Sequence, residues 1–327
     1  MNMKRITAVA AVVLAGIAPA FSAGESFEKR VPLWPEGKIP AGDSSAVAAV
    51  EAEKRKAEIL KRDPSAKDKN GRQLRSFFID EPYYQFSRPS GSAKCGLVIV
   101  SPGGAYNFLA SNHEGKQIVD WLNKNSIAAM MIMYRVPENP KGALQDIQRA
   151  IRIARANAEK WNIDPDKIAV IGFSAGANLS ARASTMYAEK SYEPVDSSDS
   201  LSAKPDATIL VYPAYCDARG NNSRWRKPQI QGDSYNEKYA LADNLKIDKN
   251  TPPAFIIQSQ DDRSYVNAAF AYYLALKDAG VPSCLHIFDS GGHGYGLSLG
   301  RKNKDGSKFL PSAWGPMAID WLKSRGF

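Results

Sequence analysis

Gly172-Phe173-Ser174-Ala175-Gly176 sets a serine between two glycines in the pattern G-x-S-x-G. Four apolar residues, 168–171, lead into it with strand character, and a helical run follows from Ala175. A serine on such a strand-to-helix turn adopts a strained backbone, and the flanking glycines leave room for strand and helix to approach. The helix N-terminus directs backbone N–H groups and a positive dipole toward the reacting oxygen. The chemistry this suits is nucleophilic attack on an acyl carbon, provided a base takes the serine proton.

The choice of base is short, because the chain has three histidines. His113 precedes Ser174 and opens a helix. His286 lies inside the apolar run 284–288 and reads as a packed residue. His293 sits in Ser290-Gly291-Gly292-His293-Gly294-Tyr295-Gly296, just past a strand's C-terminal end, where reacting groups collect in open parallel sheets. His293 is the expected base. An acid must orient its imidazole, and in chain order it should fall between serine and histidine. Asp261 and Asp262 follow the run 254–258 and stand 87 and 88 residues after Ser174. Asp261, nearer the strand end, is favoured, with Asp262 as the alternative and the neighbour read as a capping or solvated carboxylate. Asp289 is only four residues from His293, too close in chain to reach behind it. The developing oxyanion needs preorganised donors. Pro102-Gly103-Gly104-Ala105-Tyr106 follows the run 96–100, so Gly104 and Ala105 are the expected donors of that loop, with the Ala175 N–H beside the nucleophile.

Elements able to hold these groups follow from the apolar pattern. Compact apolar runs without polar alternation at 96–100 and 128–133 read as strands buried on both faces, and further strands are expected at 168–171, 207–211, 254–258 and 284–288. A short strand pair is expected at 75–79 and 83–86. Helices are expected over 114–125, where Ile118, Val119 and Leu122 share a face, and over 267–279 and 313–323. Leu144, Ile147, Ile151, Ala154 and Trp161 mark another helix, ending before Pro165. This alternation predicts an α/β fold whose central sheet of about eight strands is mostly parallel, with helices on both faces. Residues 24–43 read as an extended lead-in, and 45–62 as a charged, mostly solvated helical insertion. The polar stretches 192–204 and 216–249 break the rhythm as lid-like loops.

Lys4 and Arg5 followed by the apolar run 6–20 have the layout of a secretory signal peptide over 1–23, cleaved between 20 and 23. About 15 apolar residues fall short of the roughly 20 that a membrane span needs, and no later segment is longer. The mature chain, 24–327, is expected to form a single exported domain, periplasmic or secreted. Its net charge falls from +9 to +7 when Lys4 and Arg5 leave. The basic residues are scattered without a nucleic-acid motif, so no nucleic-acid partner is expected. Cys95, Cys216 and Cys284 are an odd set read as small packed thiols without assigned chemistry. Three histidines supply no metal set, and no cofactor is expected.

Several segments resemble the bacterial α/β-hydrolase esterases that include acetyl xylan esterases and feruloyl-esterase-like proteins. They are Pro32-Leu33-Trp34-Pro35, Ser101-Pro102-Gly103-Gly104-Ala105-Tyr106, Tyr134-Arg135, Gln145-Asp146-Ile147-Gln148-Arg149-Ala150, Gly172-Phe173-Ser174-Ala175-Gly176, Asp261-Asp262 and Gly291-Gly292-His293-Gly294. The likeness covers Val31 to Phe327 and implies the same three catalytic roles. Relatives commonly carry a third glycine where this chain has Ala105; alanine keeps its N–H but adds a methyl. Resemblance and export together imply a serine carboxylesterase acting on acetylated oligo- or polysaccharide, xylan foremost. Tyr106 and Tyr295 are the candidate substrate-binding residues, with Trp225, Tyr235 and Tyr239 as further sugar-stacking candidates. A serine peptidase and a non-catalytic binding module are the competing classes. The first usually needs a propeller domain for which this chain has no room, and the second usually loses a triad member.

Overall fold

Apolar runs that lack polar alternation become the centre of the sheet. β3 (Cys95–Ser101), β4 (Ala128–Met133), β5 (Ile163–Phe173), β6 (Ala207–Val211) and β7 (Ala254–Ser259) pair in parallel, and β4, β6 and β7 are buried at every position. β8 (Ser283–Phe288) extends them in parallel on one side; β2 (Tyr83–Ser87) and then β1 (Val31–Pro32) add antiparallel on the other. The order is β1-β2-β4-β3-β5-β6-β7-β8. The computed structural model describes residues 27, 29–43, 54, 57, 58, 61, 75–91, 93–218, 241–298 and 300–327. The leader expected over 1–23 and the aromatics Trp225, Tyr235 and Tyr239 lie outside these residues. So does most of the insertion expected over 45–62, of which Lys54, Ala57, Glu58 and Lys61 are helical and exposed.

Both faces of the sheet are covered. The helices are α1 (Gln117–Lys124), α2 (Pro140–Ala156), the short α3 (Ala158–Trp161), α4 (Ala175–Thr185), α5 (Val266–Asp278) and α6 (Trp314–Ser324). Successive strand residues feed opposite layers. Leu210 and Ile256 join Ala177, Ala181, Ala268 and Tyr272 under α4 and α5. Ile209 and Ile257 join the larger core with Trp314 and Ile319 of α6. On that side Trp121 meets Trp314 edge-on at 5.4 Å, tying α1 to α6. This is the α/β-hydrolase fold. Among the described residues no helix is long and apolar enough to cross a membrane.

Three details depart from the sequence reading. The segment around 75–79 does not pair with 83–86; Ser76 bridges to Leu109 and Ile79 to Val136, while β2 spends its ladder on β4 and β1. The edge of β4 away from β3 gives β2 an antiparallel ladder of five residue pairs. β5 is eleven residues long rather than four. Left-handed Asn162 (φ 49°) ends α3 so tightly that the strand begins at Ile163. Pro165 is accommodated where the β3–β5 register shifts. The helix expected from 114 opens with one π-turn over Asn112–Lys116 before α1 begins.

A buried ion pair holds the lead-in against this frame. Arg135 Nη2 meets Asp146 Oδ1 at 2.9 Å, and Arg135 also donates to Pro40 O, Gly142 O and Gln145 Oε1. Asp146 further accepts from Trp34 Nε1 at 2.8 Å. The stretch 192–204, expected to be a lid, is strapped to α2 instead. Arg149 pairs with Asp196 and Asp199, Arg152 donates to Leu201 O, and Arg155 donates to Ser202 O and Lys204 O. Of the other expected lid, 219–240 lie outside the described residues.

Candidate active site

Between β5 and α4 the chain turns so sharply that Ser174 takes φ 52°, ψ −117°. A non-glycine residue there stores about 1–3 kcal/mol of strain, which the surroundings must fix. They do so through neighbouring strands: Ser174 N–H donates to Val211 O at 3.1 Å, and Ser174 O accepts from Ala214 N–H at 3.2 Å. A Cβ on Gly172 would collide with Gly176 O, and one on Gly176 with Ser101 O. Both glycines of the motif are therefore needed for close approach.

His293 arrives from the glycine-rich turn after β8. Its Nε2 lies 2.7 Å from Ser174 Oγ and its Nδ1 lies 2.7 Å from Asp262 Oδ2. With the proton on Nδ1, the imidazole donates to Asp262 and is free to accept the Ser174 O–H. The acid facing the ring is thus Asp262, not the favoured Asp261. Asp262 is 3% exposed, and its other oxygen accepts from the backbone N–H of Ser264 and Tyr265 ahead of α5. That turn directs the side chain inward. Asp261 remains exposed and accepts from Gly292 N–H at 2.8 Å, which steadies the loop carrying His293. The other two histidines have different neighbours. His113 Nε2 lies 3.6 Å from Glu114 Oε1, and His286 packs on Phe255 at 4.9 Å, where burial pulls its pKa down.

The loop after β3 lies directly against the serine elbow: a Cβ on Gly103 would come within 2.9 Å of Ser174 Cβ. Gly104 (φ 135°), Ala105 (φ 55°) and Tyr106 (φ 57°) all have positive φ, which bends the loop back on itself. Gly103 N–H is already taken by Glu114 Oε2 at 2.8 Å. Among the described residues, the N–H groups of Gly104, Ala105 and Ala175 have no intramolecular acceptor. These are the three donors expected from the sequence, and they remain available to a developing oxyanion.

Tyr106 and Tyr295, expected to touch substrate, are both buried. Tyr106 O–H donates to Asn178 Oδ1 at 2.8 Å, and burial pushes its phenol up to about 12. Tyr295 packs edge-on against Tyr212 at 4.6 Å and near Phe309. Both rings pack in the core instead of facing substrate, Tyr106 meeting Tyr134 edge-on at 6.1 Å. The half-buried aromatics by the imidazole are Tyr265, 5.0 Å from the His293 ring, and Tyr215, 5.4 Å from Tyr265. Neither stood out in the sequence, because no periodic pattern marks a loop aromatic.

Glu114 also escaped notice. It is buried, its Oε1 accepts from Tyr212 O–H at 2.7 Å, and Tyr212 Oη in turn accepts from Gly296 N–H at 2.9 Å. Burial alone would raise the Glu114 pKa, but His113, the Tyr212 hydroxyl and Gly103 N–H together hold it below the usual carboxylate range. Only the glutamate's place two residues into a new helical turn hinted at it, and that signal is shared by many capping carboxylates.

Comparisons with known proteins agree with this architecture. The family model described as BD-FAE matches residues 86–275. An acetylxylan esterase from Xylanibacter ruminicola is 35% identical over 231 residues, 66% of this chain and 44% of that protein. Endo-1,4-beta-xylanase B from Butyrivibrio fibrisolvens is 30% identical over 211 residues, 62% of this chain and 32% of that protein. The chain therefore spans less than half the length of these two relatives. Among solved structures, an acetyl ester-xyloside bifunctional hydrolase from Caldicellulosiruptor lactoaceticus superposes with a TM-score of 0.68 at 28% identity. That match covers 91% of this chain and 97% of the other.

Proposed function

Because the chain belongs to the BD-FAE family, we propose that it is an exported serine carboxylesterase that removes acetyl groups from plant polysaccharide, xylan foremost. The observation that carries the reading is the continuous relay from Asp262 through His293 to Ser174, with both contacts at 2.7 Å. Support for the acetylated substrate comes from the names of relatives, an acetylxylan esterase and an acetyl ester-xyloside hydrolase among them. Support for export comes from the charged and apolar layout of residues 1–23.

The reaction is a two-step acyl transfer. His293 Nε2 takes the Ser174 proton as Oγ attacks the acetyl carbonyl carbon. The carbonyl oxygen becomes an oxyanion held by the N–H groups of Gly104, Ala105 and Ala175, each donor contributing roughly 10²–10³ in rate. The tetrahedral species collapses, and His293 returns the proton to the departing sugar hydroxyl. Water, deprotonated by the same nitrogen, then attacks the acetyl-Ser174 ester and releases acetate. Throughout, ionised Asp262 keeps the proton on Nδ1 and stabilises the imidazolium. The strained serine turn presents Oγ already aligned, so little reorganisation is left for the chemical step.

Acetate release from acetylated xylo-oligosaccharide, measured beside hydrolysis of aryl acetate, butyrate and ferulate, tests both halves of the proposal. Acetate-selective turnover with acetate freed from the oligosaccharide is the expected result. Preference for longer or aromatic acyl groups would overturn the substrate assignment, and robust cleavage of peptide amides would replace it with a peptidase. Failure to turn over any ester would remove the enzyme reading itself.

A further inference from the structure

We infer that Glu114 and Tyr212 form a buried brace that sets the loop offering the oxyanion donors in fixed register with the loop carrying the base, making both positioning residues for ester hydrolysis. The inference rests on the proposed acyl transfer at Ser174. Its evidence is a single chain of hydrogen bonds joining segments remote in sequence. Glu114 Oε2 accepts from Gly103 N–H at 2.8 Å, one residue before the expected donors Gly104 and Ala105. Glu114 Oε1 accepts from Tyr212 O–H at 2.7 Å. Tyr212 Oη accepts from Gly296 N–H at 2.9 Å, three residues past His293.

Tyr212 has a second hold on the base. Its ring lies 4.9 Å from the His293 ring at 60°, against the imidazole itself. Its backbone is locked as well: Tyr212 N–H donates to Ile257 O at 2.7 Å, and the preceding Val211 O holds Ser174 N–H. Gly296 is pinned from its other side, where its carbonyl accepts from Trp314 Nε1 at 2.9 Å. One carboxylate thereby connects the oxyanion loop, the serine elbow and the histidine turn.

A carboxylate that only satisfied its own loop would need local partners such as Gly103 N–H. This one sits fully inside the protein, where an ionised group is costly unless paired and hydrogen-bonded. Its second oxygen is committed to a residue 98 positions away. The arrangement suits a device that defines the distance between two catalytic loops, since loops alone hold geometry less well than the sheet they leave.

The test uses the full chain and its Glu114→Gln, Tyr212→Phe and double variants on aryl acetate. Active sites are counted by organophosphate titration run to completion, so unfolded protein does not enter kcat. Tyr212→Phe keeps the buried ring, and removes both hydrogen bonds of the hydroxyl, whereas Glu114→Gln keeps the side chain's shape. With the two loops out of register, kcat per titrated site is expected to fall about 10²-fold in each single variant, as for a small misplacement of reacting groups, with KM within about twofold. Because both residues act through one chain, the double variant should lose no more than the weaker single variant does. Lowered thermal stability with kcat within about threefold of the wild type would show a merely structural carboxylate and overturn the inference. Losses that multiply in the double variant would also overturn it. Undiminished turnover by Ser174→Ala would instead sink the acyl-transfer reading beneath it, which the brace variants do not test.

Discussion

Replacing Asp262 by asparagine isolates the acid's chemical role from its structural one. Asp262 Oδ1 serves the N–H groups of Ser264 and Tyr265, and an amide oxygen can take over both contacts, so the fold and the start of α5 should survive. The consequence falls on Oδ2, which lies 2.7 Å from His293 Nδ1. An amide N–H₂ there can only donate, which forces the histidine proton from Nδ1 to Nε2. In that tautomer Nε2 cannot accept the Ser174 proton across its 2.7 Å contact. The corresponding change in serine hydrolases lowers kcat about 10⁴-fold, or about 5.4 kcal/mol at 1.36 kcal/mol per tenfold. Asp261→Asn gives the contrasting case: its oxygen can still accept from Gly292 N–H, and the residue is exposed. A loss there of at most about 1 kcal/mol, or fivefold, matches one solvent-exposed hydrogen bond. Steady-state hydrolysis of aryl acetate by the two variants decides between them. Should Asp261→Asn prove the more damaging, the assignment of Asp262 and the geometry behind it would be wrong.

Other outcomes follow from the same contacts. Ala105→Gly removes the cost of a left-handed alanine (φ 55°) yet keeps the N–H, so stability should rise or stay level within about 1 kcal/mol. Aryl acetate turnover should hold as well, and a fall of 10²–10³, the worth of an entire donor, would show that the methyl shapes the loop. Asp146→Ala leaves Arg135 buried without its counter-charge and should cost about 3–5 kcal/mol in denaturant unfolding, whereas a loss below about 1 kcal/mol would mean that the lead-in is not anchored there. The strap on α2 should fail in acid. A hydrogen bond from Arg149 lowers the Asp196 pKa to about 2 from its ordinary 3.8. Its contribution is present above the ordinary value and fades as pH falls toward about 2. Thermal unfolding from about pH 5 downward should show wild type and Asp196→Asn converging, and parallel curves would contradict the pairing.

Much of the fold was legible because its signals are local and redundant. β4 and β6 match the expected runs residue for residue, since a short, mainly apolar run between polar connections has few alternatives to a strand covered on both sides. The serine turn was equally clear, because two glycines, a preceding strand and a following helix all agree. What escaped was direction. Asp261 and Asp262 are chemically identical neighbours, and only the turn that hydrogen-bonds Asp262 to Ser264 and Tyr265 aims one of them inward. The capping or solvated role is expected of the acid's neighbour, yet Asp262 faces the histidine with one oxygen and holds the turn with the other. Tyr106 and Tyr295 sit in the two loops that carry the site, which points them to substrate, but nothing in a loop sequence separates a ring that faces the cleft from one that packs in the core. The partners of Glu114 lie up to 98 residues away, a distance across which no sequence pattern operates.

Peptide mass spectrometry of the chain after reaction with an organophosphate reads the identity of the nucleophile itself. One adduct per molecule on Ser174 is expected, accompanied by loss of ester turnover, absent from Ser174→Ala and much slowed in His293→Ala. Labelling at another residue, or persistent ester hydrolysis by protein that carries no adduct on Ser174, would contradict the proposed mechanism.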